Sequence, residues 1–327
     1  MIRKKPSLSN LLWPVLLAAL LWWALRHAPL ADIWTSLRLL EAWQIAALLS
    51  LNTGIYLLVT LRWWIIVRAG NRSIAYWPLL GVRVAVFGVS YFTLGPQVGG
   101  EPLQVLFLQR KHGLAFTRAT ASVLMDKLLE FLANFILLAL GAAAILEAGI
   151  LSTNGSRPIL SLTGLAVLMM WPPIHIFLMM RGVHPVSSIL RALPFVPWQA
   201  KPVRFVRAAE WMAGRFCRRH LKALVQAVLV SLLAGIGMVG EYALILSFLH
   251  IPLPFWQTVA AWTAGWLAFL APLPGGLGAL EASQVLALGA FGVASASAIG
   301  VTLLMRGRDL LIGGLGLLIA GRGIGVK

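Results

Sequence analysis

The chain has 327 residues, 60% of them apolar and 11% charged, with a mean hydropathy of +0.87. That balance excludes an ordinary soluble domain and places the chain among polytopic membrane proteins. The formal net charge of +17 does not point to nucleic acid, because the Lys and Arg residues stand in short runs between apolar spans, where they set topology and meet anionic headgroups. Cys217 is the only cysteine, which excludes an internal disulfide and a cysteine metal cluster. Its expected place is a reduced cytoplasmic loop.

At the N-terminus, MIRKKPSLSN precedes an apolar run in the manner of a signal peptide. No small-residue cleavage site follows, and Trp22, Trp23 and Arg26 close the segment, so a retained first span is expected. A helix needs about 20 apolar residues to cross the hydrocarbon. Runs of that kind predict spans over 11–25, 42–67, 117–147, 158–180, 223–249 and 294–320. Two further apolar regions, 76–110 and 255–292, are interrupted by Gly and Pro at LGPQVGGE (94–101) and LAPLPGGLGALE (270–281). By apolar length alone, each is either two crossings or a hairpin that enters and leaves by one face.

Charge chooses the hairpin. The segment 181–222 carries nine Lys and Arg residues against Glu210 alone and reads as a basic cytoplasmic loop. Arg3, Lys4 and Lys5 mark the same side, as do Arg62, Arg68 and Arg72 before the first broken region and Arg110, Lys111 and Arg118 after it. The opposite loops are balanced or uncharged, so the second hairpin opens outward. The expected fold is an all-α polytopic membrane helical bundle, one integral domain over 1–327. It has about six full spans plus two oppositely oriented re-entrant, broken-helix hairpins. Both termini are expected in the cytoplasm of a bacterial or archaeal cell, with the chain in the inner membrane. Within the basic loop, Val203 to Lys222 predicts an amphipathic interfacial helix with Phe205, Trp211, Met212 and Phe216 on or near its apolar side.

An internal repeat follows the same plan. Glu281 lies 180 residues after Glu101, while Lys127 to Arg306, Glu130 to Asp309, Gly113 to Gly292 and Arg62 to Glu241 are each separated by 179. The halves, 42–147 and 223–320, face opposite ways, which is the inverted-repeat plan of many transporters, with sites built from discontinuous helices.

The breaks free backbone groups that lipid cannot satisfy, so they must line a cavity or be buried in protein. Gly99 and Gly100 in the first, and Gly275, Gly276 and Gly278 in the second, permit close backbone approach, and the helices that restart there point amides at a bound anion. Glu101 and Glu281 fall in the first turn after each break and serve either as caps or in binding and protonation. Charges within spans are expected to face the bundle interior. These are Asp126, Lys127 and Glu130, with Arg306 and Asp309 in the second half; Lys127 and Arg306 are the phosphate candidates. Arg62 and Glu241, at matching positions, are expected to pair across the halves. The six histidines show no paired ligand spacing, and no HExxH, Walker loop or GxSxG occurs, so no metal, cofactor or catalytic residue is expected.

LRWW at 61–64, GPQVGGEPLQVLFLQRKHG at 95–113, SVLMDKLLEF at 122–131 and the stretch from APLPGGLGALEAS through LMRGRDLL at 271–311 carry a family likeness. With these the chain resembles the lysylphosphatidylglycerol synthase transmembrane family, flippase-like membrane domains also found in archaeal and hopanoid-associated proteins. The family's Pro-Gly-Arg-x-Gly-Glu is altered at Gln97, Val98 and Gly99, and its Glu-Arg-x-x-Asp is kept conservatively by Asp126, Lys127 and Glu130. The resemblance implies a flippase or scramblase-like protein translocating an anionic or amphiphilic lipid: a phospholipid, aminoacyl-phospholipid or polyprenyl-linked lipid. It does not imply aminoacyl transfer, since that chemistry belongs to a soluble C-terminal domain and this chain stops at Lys327. The alternatives are a membrane enzyme or accessory subunit in lipid-linked glycan or hopanoid metabolism, or a small-solute transporter. Expected partners are membrane lipids and anionic headgroups, not nucleic acid, with homo-oligomerisation left open.

Overall fold

In a bilayer every backbone polar group must find its partner within the chain, and helices do this locally. The computed structural model describes residues 34, 38, 40–71, 73–93, 99–147, 170–192, 201–270 and 273–322, and all regular structure among them is helical. The expected span at 11–25 and most of that at 158–180 lie outside the described residues.

The first half contains α1 (Ala42–Gly70), α2 (Tyr76–Phe92), α3 (Glu101–His112) and α4 (Phe116–Glu147). Then come α5 (Met170–Met180), α6 (Pro185–Ala192) and α7 (Lys201–Arg219). The second half contains α8 (Leu221–Phe248), α9 (Phe255–Ala268), a 3-10 turn (Pro274–Gly276), α10 (Ala279–Ala290) and α11 (Ser295–Gly321). By length and composition, α1 and α8 are apolar and long enough to cross a membrane. Helices α4 and α11 reach similar lengths, 32 and 27 residues, but carry more charge. The outward faces of α8 and α11 are apolar, with Leu229, Ile236, Leu311 and Leu318 exposed, as lipid contact requires. Trp43, Trp77 and Trp256 are exposed in the first turns of α1, α2 and α9, where an interfacial belt belongs.

Packing between the halves is reciprocal. Helix α1 packs on α8; α2 packs on α11 while α9 packs on α4; α3 lies on α4 and α10 on α11. Exchanging the halves leaves this scheme unchanged. Asn52 meets Glu241, and Ile55 faces Gly237, so α1 and α8 run antiparallel. The α2–α11 crossing brings backbones into contact: a Cβ on Gly88 would lie 2.5 Å from the Gly313 carbonyl oxygen, and one on Gly316 would overlap the Val84 carbonyl.

The basic amphipathic helix expected to reach Lys222 ends at Arg219, where His220 breaks the chain before α8. Its packed face is Val203, Glu210, Ala213 and Cys217, with Cys217 against Met125. Trp211 points outward beside Arg215, whose guanidinium lies 5.4 Å from the ring centre. Glu210, the lone acid of the segment, is buried and accepts the Val186 and Ser187 amides at 2.8 and 3.0 Å, capping α6. Burial alone would raise its carboxyl, but His175 at 3.4 Å and the two amides hold it below the usual carboxylate range.

Candidate functional site: a charged cavity between the halves

Each break ends on a helix start capped by its own carboxylate. In the first, Gly100 is the N-cap of α3 and has no room for a side chain, since a Cβ would overlap the Val86 carbonyl; its amide donates to Ser90 Oγ at 2.8 Å. Glu101 turns back to accept the Gly99 amide at 2.8 Å. In the second, Gly275, Gly276 and Gly278 all have positive φ, which glycine adopts without strain. Glu281 accepts the Gly278 amide at 3.0 Å. The second break rests against Tyr91, in the last turn of α2 that leads into the first break.

The charged residues form two networks. In the first half, α4 presents Asp126, Lys127 and Glu130. Asp126 is fully buried and accepts from Arg62 and Arg83, both at 2.6 Å; Glu130 accepts from the same two guanidiniums at 3.0 and 3.2 Å. Lys127 lies 3.1 Å from Glu130 and 3.2 Å from Glu101. In the second half, Arg306 donates to both Glu281 oxygens and to the Gly275 and Gly276 carbonyls, clamping the break. Arg308 bridges Glu241 and Asp309, each at 2.7 Å, and Asn52 donates to Glu241 at 3.1 Å. Glu101–Lys127 and Glu281–Arg306 are thus matching pairs at repeat-related positions.

Two expected pairings are corrected. Arg62 does not meet Glu241. The antiparallel register sets Asn52 opposite Glu241, so Arg62 lies ten residues, roughly 15 Å, further along α1, where α4 supplies its partners. Arg306 and Asp309, three residues apart and so spaced to meet on one side of a helix, do not pair: Asp309 pairs with Arg308. Arg306 and Arg308 are two residues apart, a turn of about 200° around the helix, so one faces the break and the other the cavity.

That cavity, of about 220 Å³, lies between the halves. Of the expected residues, Arg62, Glu101, Lys127, Glu130, Glu241 and Asp309 line it; Gly275, Gly276, Gly278, Glu281 and Arg306 do not, nor do Gly99, Gly100 and Asp126. Arg83, Arg308 and Asn52 line it and were not expected as site residues. Arg83 carried a usable signal, a lone cation inside an apolar run. Four cations, Arg62, Arg83, Lys127 and Arg308, therefore face four carboxylates, Glu101, Glu130, Glu241 and Asp309. An entering anion would meet no surplus cation and must exchange partners with existing pairs. Tyr56, Phe87, Trp262, Trp266 and Phe269 complete the wall with aromatic surface.

Buried ion pairs give little net stability, because desolvation offsets their attraction. Such a set within an apolar bundle is a candidate site. A helical, multi-pass membrane protein with a charge-balanced internal cavity is the class these features define. The model of the lysylphosphatidylglycerol synthase TM region matches residues 10–316, and the chain belongs to that family. Neither a curated protein nor a solved structure matches it.

Proposed function

We propose that the protein is a flippase or scramblase-like carrier that passes the polar head of an amphiphilic lipid through the central cavity. The observation that carries this reading is the cavity's charge-balanced, aromatic-walled lining. Charged side chains inside a bilayer are costly and mark substrate routes. Because the charges cancel, a headgroup bearing both signs, or an anion that exchanges partners with the Arg308 or Lys127 pairs, fits better than a free-standing anion. Family membership supports lipid as the cargo.

The reciprocal packing supports an inverted repeat of 42–147 and 223–320, with α2–α3 and α9–α10 as oppositely oriented re-entrant hairpins. On this reading α1, α4, α8 and α11 cross the bacterial or archaeal inner membrane, and the basic loops with α7 face the cytoplasm. Glu281 and Arg306 hold the second break in shape, while Glu101 and Lys127 join the first break to the cavity wall.

The test is reconstitution in liposomes containing headgroup-labelled phosphatidylglycerol, aminoacyl-phosphatidylglycerol or a polyprenyl phosphate. A membrane-impermeant quencher then reads exchange between leaflets. The native chain is expected to expose the inner-leaflet pool, and Arg308→Ala or Glu281→Ala to slow this roughly tenfold, equivalent to one charged contact. Failure to move any of these lipids would overturn the reading.

A further inference from the structure

A second pocket, of about 310 Å³, lies apart from the central cavity, between the C-terminal turn of α1, the start of α4 and the C-terminal half of α7. Its chemistry differs from that of the cavity. Arg118 from α4 and Arg215 and Arg219 from α7 line it with His220, and no Asp or Glu does. Among the described residues none of the three arginines has a carboxylate partner. The nearest acid on α7, Glu210, is buried and committed to the α6 amides. Ile66, Val67, Leu114, Met125 and Phe216 give the pocket an apolar wall. Trp211 is exposed at its edge with the Arg215 guanidinium over its ring, the amphipathic arrangement found at a membrane surface.

We propose that this pocket is a binding site for the phosphodiester headgroup of an anionic membrane phospholipid, separate from the translocation cavity. Three guanidiniums without a carboxylate partner among the described residues supply charge-assisted donors to phosphate oxygens. The apolar wall and Trp211 take the glycerol and upper acyl chain, which a soluble phosphate does not offer. The arginines lie in the segments whose basic residues mark the cytoplasmic side, so the lipid comes from the inner leaflet, an assignment that rests on the orientation proposed above. Bound there, it ties α7 to the bilayer and braces the N-terminal turns of α4 as far as Met125, one residue before Asp126. Binding at this pocket does not require that the protein translocate lipid, so the two proposals fail separately.

The experiment is native mass spectrometry of the purified full-length chain with dioleoylphosphatidylglycerol, against dioleoylphosphatidylcholine as control. One tightly held phosphatidylglycerol is expected in preference to phosphatidylcholine. R118Q/R215Q/R219Q is expected to weaken that retention roughly tenfold or more with an unchanged unfolding midpoint, and R118K/R215K/R219K to keep most of it. Arg308→Gln, in the other cavity, is expected to leave this lipid in place. The proposal is overturned if the Gln variant holds phosphatidylglycerol as the native chain does, if phosphatidylcholine is held equally, or if millimolar inorganic phosphate displaces the lipid. Single Arg215→Gln gives the same reading with a smaller loss should the triple variant misfold.

Discussion

The two halves of the molecule use the same positions differently. At the Trp63 and Tyr242 positions, and at Gln104 and Gln284, the second half makes a closed polar link: Tyr242 donates to Gln284 at 2.5 Å, and Gln284 donates to the Ala261 carbonyl at 2.9 Å. In the first half, Trp63 Nε1 and both amide atoms of Gln104 are buried without a protein partner among the described residues. The ion networks differ too. Arg62, Arg83 and Lys127 match Asp126, Glu130 and Glu101 one for one, whereas Arg306 and Arg308 serve Glu281, Glu241 and Asp309. Shared architecture therefore carries diverged polar bonding: the second half closes the Tyr242–Gln284 link that the first half lacks, while the first half carries the denser ion network around Asp126 and Glu130.

Removing one acid from each half tests this contrast most strongly. Asp126→Ala leaves Arg62 and Arg83 buried with Glu130 as their remaining acid, and a loss of about 3–5 kcal/mol is expected, read as a lower unfolding midpoint in detergent or loss of expression. Glu241→Ala leaves Arg308 still bound to Asp309 and is expected to cost clearly less. Equal losses would remove the distinction between the networks. Gly316→Val, which forces a side chain into the Val84 carbonyl, is expected to cost about 1–3 kcal/mol or more by overpacking the α2–α11 crossing.

The glutamine pair sharpens the comparison at smaller scale. Gln284→Leu orphans the Tyr242 hydroxyl and removes the link to the Ala261 carbonyl, and is expected to cost about 1–3 kcal/mol. Gln104→Leu removes amide atoms that have no protein partner among the described residues and is expected to be neutral or stabilising. A pH-dependent effect of modest size concerns neither half. Glu210 has a depressed carboxyl pKa, so its contribution is present above the unfolded value of about 4.3 and is lost as pH falls through the lower folded value. Destabilisation by Glu210→Gln, about 1 kcal/mol, should therefore be visible near neutral pH and shrink under strong acid.

Much of the helical framework was legible in the sequence, because length and apolar run fix it. The expected 42–67, 117–147, 223–249 and 294–320 correspond to α1, α4, α8 and α11 within a few residues, and the Gly/Pro clusters fall between α2 and α3 and between α9 and α10. Side-chain partners were less legible. Arg62 with Glu241 was a reasonable pairing from the repeat offset, but antiparallel register displaces them along the helices, and no periodicity records where two helices cross. Arg306 and Arg308 are distinguished only by the rotation of α11 against its neighbours. Arg83 stands alone in the apolar run of α2, and its partners Asp126 and Glu130 come from α4, more than 40 residues on, so no local spacing marks it. Trp211 faces outward because Ala213 and Cys217, not the aromatic residue, meet α4 and α5.

The most direct test of the central claim is a density map of the purified protein in nanodiscs of phosphatidylglycerol or aminoacyl-phosphatidylglycerol. Headgroup density is expected inside the central cavity, between Lys127 of the first half and Arg308 of the second, with the acyl chains leaving toward the bilayer. Lipid density confined to the outer surface, with the cavity filled only by solvent under conditions in which the reconstituted protein moves that lipid, would contradict it.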